Sequence, residues 1–179
     1  MKSLSSVYAA SLFSLADEEN LLSETMDELL ALRSVFLENA DYAPLLDSPT
    51  VPLSSRLSLI DEAFGDVSEY VKNFIKILCE KKCTHLFSDC VKNFEKLYNK
   101  KYNIENVTVI TAAPLSEALR ERLIKKLSDD LGKKVILDLK VDESILGGLI
   151  IRTENSQTDA SVRARLEGIR NELSSQKID

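Results

Sequence analysis

Tryptophan is absent, and 179 residues contain only five glycines and four prolines. This leaves little turn chemistry for a loop-rich or all-β design, so the expectation moves toward helix. No apolar run approaches the roughly 20 residues that a bilayer-spanning helix needs, so no direct membrane insertion is expected. The N-terminal pattern is amphipathic and interrupted by polar residues rather than continuously apolar, which argues against a signal peptide and for a cytoplasmic protein. A basic excess is also missing. The formal net charge of −6 gives nucleic-acid binding no electrostatic footprint.

Residues of catalytic type are sparse. The single histidine, His85, stands beside lysines, and Cys83 two positions earlier would not face it on a helix. All three cysteines fall within Cys79 to Cys90, an odd number that does not suit a disulfide framework. Cys79, Cys83, His85 and Cys90 are donor types for zinc, but they are not spaced as two ligand knuckles. Cys90 continues an apolar stripe with Phe87, Val91 and Phe94, so these thiols read as core or boundary residues. Gly147-Gly148 belongs to neither a Gly-x-x-x-x-Gly-Lys-Ser/Thr loop nor a Gly-x-Gly-x-x-Gly loop. The carboxylates follow exposed helical faces. No catalytic residue, cofactor or metal is expected.

Charge is nevertheless unevenly spread. Residues 1–70 hold three Lys or Arg against thirteen Asp or Glu, whereas residues 71–103 hold eight Lys and three acids. Such a field could steer a charged partner, or it could simply be solvated helix faces.

Helical periodicity dominates the first hundred residues. Leu4, Val7, Tyr8, Leu12 and Leu15 define a first helix, with small residues between them. A second spans about Asn20 to Glu38, with Leu22, Met26, Leu29, Leu30, Phe36 and Leu37 facing inward. A short turn of helix fits Tyr42 to Leu46, and Ser48-Pro49-Thr50-Val51-Pro52 then breaks the pattern. Leu53, Leu57, Ile60 and Phe64 mark a fourth helix closed by Gly65. Val67, Tyr70, Val71, Phe74, Ile75 and Leu78 give the fifth a broad buried stripe, and Leu86 to Tyr98 supplies the sixth. Short connections between them imply an antiparallel bundle.

The period then shortens. Val107 to Ala112 alternates as a strand ending at Pro114, and Ser116 is placed to cap a helix carrying Leu119, Leu123, Ile124, Leu127 and Leu131. Gly132 lies where that helix should stop. Val135 to Val141 alternates again and leads to an apolar, strand-like run containing Gly147 and Gly148. Glycines within a strand imply a bulge or a close approach by another element. Val162, Leu166, Ile169 and Leu173 define a last helix. The expected fold is a mix of α and α+β: a six-helix antiparallel bundle at residues 1–103, then a small α+β domain at 107–179. The polar join near Lys100 to Asn106 is expected to be flexible.

Several segments in this order resemble one family. Tyr8-Ala9-Ala10-Ser11-Leu12-Phe13-Ser14-Leu15-Ala16 is similar to its first helix, with Ser11 in place of a commoner alanine. Thr111-Ala112-Ala113-Pro114-Leu115-Ser116 and Gly132-Lys133-Lys134-Val135 resemble two of its junctions. Asp142, Gly147, Gly148, Arg152, Asp159, Ser161 and Leu166 fit its C-terminal signature. The family is that of the delta subunit of the rotary F-type ATP synthase, the counterpart of the mitochondrial oligomycin-sensitivity-conferring protein. The chain departs from it at Thr158 and Ala160, which flank Asp159 where the family has an apolar residue and Gly. It departs again at Cys83, where a basic residue is common.

The resemblance implies a non-catalytic stator subunit, peripheral on the inner face of the cell membrane through the complex. By the resemblance, the bundle takes up the amphipathic N-terminus of an alpha subunit between helices one and five, at positions matching Tyr8, Ser11, Leu12, Asn73 and Ile77. The C-terminal part meets the peripheral-stalk b subunit. Tyr8 and Leu12 are equally open to a reading as plain core residues. Gly147 and Gly148 read as backbone packing before direct partner contact. A free-standing adaptor that binds one amphipathic peptide is the alternative function, and it would need only the groove.

Overall fold

The computed structural model describes residues 3–153 and 156–166, and these fall into two compact units, one ending at Lys101 and the other beginning at Tyr102. The first unit is helical: α1 (Leu4–Glu18), α2 (Leu22–Glu38), α3 (Tyr42–Asp47), α4 (Leu53–Ala63), α5 (Glu69–Glu80) and α6 (Phe87–Lys101), with a 3-10 turn at Thr84–Leu86. Local chemistry sets the ends. Ser3 Oγ accepts from the Ser6 amide at the start of α1, and Asn20 takes a positive φ of 59° between α1 and α2. Ser68 caps α5 and is itself held by Glu28 of α2, which accepts from the Ser68 amide at 3.0 Å and from its hydroxyl at 2.6 Å.

The core of this unit is built from Leu29, Leu46, Ile60, Val71, Ile75, Leu78, Phe87, Val91 and Phe94, all fully buried. Phe36 stacks on Phe87 with centroids 4.6 Å apart and meets Tyr42 edge-on at 5.5 Å. Two helices bury faces other than those expected from hydrophobicity alone. In α2, Leu30 and Leu37 are exposed and Leu32 is buried in their place. In α1 the buried face is Ser5, Ala9, Leu12 and Ala16, while Leu4, Val7 and Leu15 face outward. Small side chains let α1 lie close to α6, where Phe13 meets Phe94 and Asn93 Nδ2 donates to Ser5 Oγ at 3.3 Å. Close approach decided the face, and the larger residues were left over.

The second unit contains β1 (Ile104–Thr111), α7 (Glu117–Leu131), β2 (Lys134–Val141), β3 (Leu149–Arg152) and β4 (Gln157–Asp159), with a 3-10 turn at Glu143–Ile145. The sheet order is β2-β1-β3-β4. β1 pairs in parallel with β2, from Ile104 against Lys134 to Thr111 against Val141, and antiparallel with β3. A parallel neighbour requires a crossover, which α7 supplies. Val107, Val109, Leu127 and Val135 form the core on one side of the sheet, while Ile110, Ile145 and Ile150 form a smaller cluster. This is the α+β arrangement expected from the sequence.

The details differ in four places. β1 begins at Ile104, so only Tyr102 and Asn103 separate α6 from the sheet, and the expected longer join is taken up by secondary structure. Ser116 occupies the N-cap of α7, but its hydroxyl makes no capping bond. The glycine pair does not lie inside a strand; it precedes β3. β4 was not anticipated. Residues 162–166 are helical, whereas Ile169 and Leu173 lie outside the described residues.

Candidate functional site

The predicted site residues fall into two sets, one in each unit. In the helical unit Tyr8, Ser11 and Leu12 of α1 line one cavity of about 320 Å³ together with Asn73 and Ile77 of α5. Leu15, Tyr70 and Phe74 complete it. Each helix contributes residues at i, i+3 or i+4, and i+7, so a single stripe of each faces the cavity. Leu12 and Phe74 are buried and form the floor, whereas Leu15, Tyr70 and Ile77 are exposed along the walls. Ser11 turns its hydroxyl back onto the Val7 carbonyl at 3.1 Å, which satisfies that donor and leaves an apolar wall. The additional residues were legible from spacing, because Leu15 lies seven after Tyr8 and Tyr70 seven before Ile77.

In the second unit the signature residues converge on one backbone crossing. Leu146, at φ 62°, and Gly147 and Gly148, at φ 148° and 81°, carry the chain out of the 3-10 turn into β3. A Cβ on Gly148 would lie 2.5 Å from the Ala160 carbonyl oxygen and 2.9 Å from Ser161 Cα, and one on Gly147 would meet Val162 Cγ2 at 3.3 Å. The Ala160 amide donates to the Leu149 carbonyl and the Val162 amide to the Gly147 carbonyl, both at 3.0 Å. The glycines therefore admit the segment carrying Asp159 and Ser161.

Two aspartates shape the turns on either side. Asp142 accepts from the Ser144 amide and Asp159 from the Ser161 amide, both at 2.9 Å. The Ser144 hydroxyl and amide hold the Asp142 carboxyl below the usual range, and the Ser161 amide and hydroxyl do the same for Asp159. Ser161 is buried, and its Oγ accepts from the Ala164 amide at 3.1 Å, capping the helix at residues 162–166. Arg152 Nε donates to Gln157 Oε1 at 3.0 Å, tying β3 to β4.

The sequence reading missed a polar knot inside the helical unit. Buried Arg56 donates through Nη1 to the carbonyls of Leu46 at 2.6 Å and Cys79 at 3.2 Å, and through Nε to that of Val51 at 3.1 Å. It thereby serves the C-terminal ends of α3 and α5, where a cation suits the helix dipole. Its position four residues before Ile60, on the buried stripe, was the available signal. Asp47 accepts from the Thr84 amide at 2.8 Å and the His85 amide at 3.1 Å, with His85 Nδ1 2.7 Å away. Burial alone would raise the Asp47 carboxyl, but these hydrogen bonds outweigh it and hold the group below its usual range. Cys79 donates to the Leu46 carbonyl and Cys90 lies in the core. Among the described residues no group of three or more His, Cys, Asp or Glu could hold a metal ion.

The model of the ATP synthase delta (OSCP) subunit family matches residues 4–173. ATP synthase subunit delta of Clostridioides difficile (strain 630) is 34% identical over 169 residues, covering 93% of each chain. That of Lactobacillus gasseri is 32% identical, covering 95% of this chain and 94% of its own. In fold, the chain is similar to one in the cryo-EM structure of the Toxoplasma gondii mitochondrial ATP synthase hexamer, with a TM-score of 0.76 at 20% identity, covering 96% of this chain and 98% of that one.

Proposed function

Because the chain belongs to the ATP synthase delta (OSCP) subunit family, we propose that it acts as a joint in the stationary part of that complex, a non-catalytic subunit tying the catalytic head to the peripheral stalk. In this reading the helical unit is a six-helix antiparallel bundle that receives the amphipathic N-terminal segment of an alpha subunit in the groove between α1 and α5. The C-terminal unit, through the surface built around Asp142, Gly147, Gly148, Arg152, Asp159 and Ser161, meets the b subunit. The two are separable domains, each with one partner. The subunit works on the cytoplasmic side and is held at the membrane periphery through the complex.

The observation that carries this reading is the groove itself. Tyr8, Ser11, Leu12 and Leu15 face Tyr70, Asn73, Phe74 and Ile77 across about 320 Å³ of open, apolar space. An amphipathic helix supplies an apolar stripe to such a groove while satisfying its own backbone. A stator joint must resist the rotor's torque through both partners at once, which a one-site adaptor does not need to do.

The test uses calorimetry with the full chain and a peptide of the alpha-subunit N-terminus. Ser11→Asp or Ile77→Asp would set a charge against the bound apolar face, where it would be desolvated without a partner. A loss of about 2.8 kcal/mol, a roughly 100-fold weakening, is expected for either variant. Binding to the b subunit should be unaffected. Silent substitutions in a folded protein, or peptide binding that maps to residues 107–179, would assign the groove another role.

A further inference from the structure

A second apolar cavity opens elsewhere on the helical unit, at the C-terminal ends of α2 and α4. It has a volume of about 240 Å³ and is lined by Val35, Asn39, Tyr42, Ala63 and Phe64. None of these residues lines the α1–α5 groove. The polar groups at its edge are already satisfied: Asn39 Nδ2 donates to the Val35 carbonyl at 2.9 Å, and Tyr42 Oη donates to the Leu59 carbonyl at 3.3 Å. Of the lining residues, Tyr42 and Phe64 meet edge-on with centroids 5.9 Å apart, and both rings pack against buried Phe36 behind them. At this size the cavity falls below the range typical of cofactor and drug-like sites and suits one large apolar side chain as an anchor.

Acidic groups dominate the exposed charge beside the lining positions, and Arg33, two residues before Val35, is half-buried. Glu38, Asp41, Glu62 and Asp66 are all exposed and stand within two residues of a lining position. Asp61 also lies on α4, but Lys76 of α5 pairs with it at 2.6 Å. Arg56 of the same helix is buried and committed to carbonyls. The described elements of this unit are helices and turns with no strand edge, so an arriving segment cannot be held by added strand pairing and must satisfy its own backbone.

We infer that this cavity is a second docking site, for a basic amphipathic helix of a partner protein that inserts an apolar side chain between Val35 and Phe64 and sets Lys or Arg against the carboxylates at the rim. The lysine-rich stretch of a second copy, residues 71–103, does not suit the site, because Val71, Phe74, Ile75 and Leu78 of α5 and Phe87, Val91 and Phe94 of α6 are buried in its own core. The attraction should act mainly on encounter rate and should weaken with salt.

The probe is a 20-residue helical peptide of Leu and Lys with an apolar stripe on one face, compared with its Leu/Glu counterpart. Both are titrated into the full chain carrying Ile77→Asp and followed by amide NMR. Ile77→Asp blocks the other groove, so failure here is distinguishable from failure of the alpha-peptide reading. The Leu/Lys peptide should shift amides in residues 35–42 and 62–66. Combined Glu38→Lys, Glu62→Lys and Asp66→Lys should weaken it at least tenfold, whereas Glu18→Lys with Glu19→Lys, on the end of α1, should not. The inference is overturned if the two charge-reversal sets act equally, if the Leu/Glu peptide binds as well, if the shifts map elsewhere, or if the same amides shift with protein concentration alone.

Discussion

Replacing Gly148 with Ala tests whether the C-terminal unit depends on the backbone crossing. Two penalties add at this site. An L side chain at φ 81° costs about 1–2 kcal/mol. The new Cβ would also sit 2.5 Å from the Ala160 oxygen, so the 160–161 backbone must retreat by about 1 Å to reach ordinary contact. That movement strains the Ala160–Leu149 and Val162–Gly147 hydrogen bonds, each contributing about 1 kcal/mol. The expected destabilisation is about 3–4 kcal/mol. Two other glycines supply the scale. Gly132 has φ 63° and nothing near its would-be Cβ, so Gly132→Ala should cost about 1 kcal/mol. Gly65 has neither constraint, and Gly65→Ala should leave stability unchanged or raise it by up to about 1 kcal/mol. Urea unfolding of the full chain, read by amide NMR so that each unit is followed separately, gives all three values. Amide protection in β3 and β4 should fall first in the Gly148 variant. If Gly148→Ala is no worse than Gly132→Ala, the close approach is not what the glycine serves.

Arg56→Leu removes the donor from three carbonyls and should lower stability by about 3–5 kcal/mol, with Arg56→Lys recovering only part because an ammonium cannot reproduce the guanidinium fork; a urea midpoint within error of the parent would refute this. Asp47, held below its usual range in the folded state, stabilises fully above about pH 4, and this contribution is lost as pH falls through the lower folded value. The stability gap between the parent and Asp47→Asn should therefore narrow between pH 5 and pH 2, and a gap that stays constant would exclude Asp47 as its source. Burial, helped by Asp89, pushes the Cys90 thiol up to about 12, and burial raises Cys79 as well. Iodoacetamide at pH 8 should label Cys83 in the native protein and reach all three thiols only in urea, as mass spectrometry would resolve.

The parts of the fold legible in the sequence were those with a strong period. The α5 stripe of Val71, Phe74, Ile75 and Leu78 and the β1 residues Val107 and Val109 are buried as their spacing requires. The misreadings arose where a close neighbour outweighed side-chain hydrophobicity. α1 buries Ala9 and Ala16 because α6 comes near, and Leu4 and Val7 are turned outward as a result. β4 escaped notice because Gln157, Thr158 and Asp159 carry no apolar alternation; β3 and the glycine crossing place them at the sheet edge. The groove residues were named by resemblance, and spacing on α1 and α5 would have extended them to Leu15 and Tyr70. Arg56 and Asp47 were invisible for another reason. Both serve backbone groups far away in sequence, and no local pattern announces such a partner.

The packing of α1 along α6 also orders events during synthesis. α1 is synthesised before α2 to α6, but its ring contact, hydrogen bond and ion pair with Phe94, Asn93 and Lys101 come from the far end of the unit. Through most of translation, therefore, α2 to α5 can assemble while α1 waits with its small-residue face lacking α6 and its Tyr8, Ser11 and Leu15 stripe uncovered. Closure of the unit is a late, long-range step, which is the kind that slows folding and leaves apolar surface open to chaperones. When α6 arrives it covers only one of those two faces. The other remains open on the finished subunit as one wall of the groove.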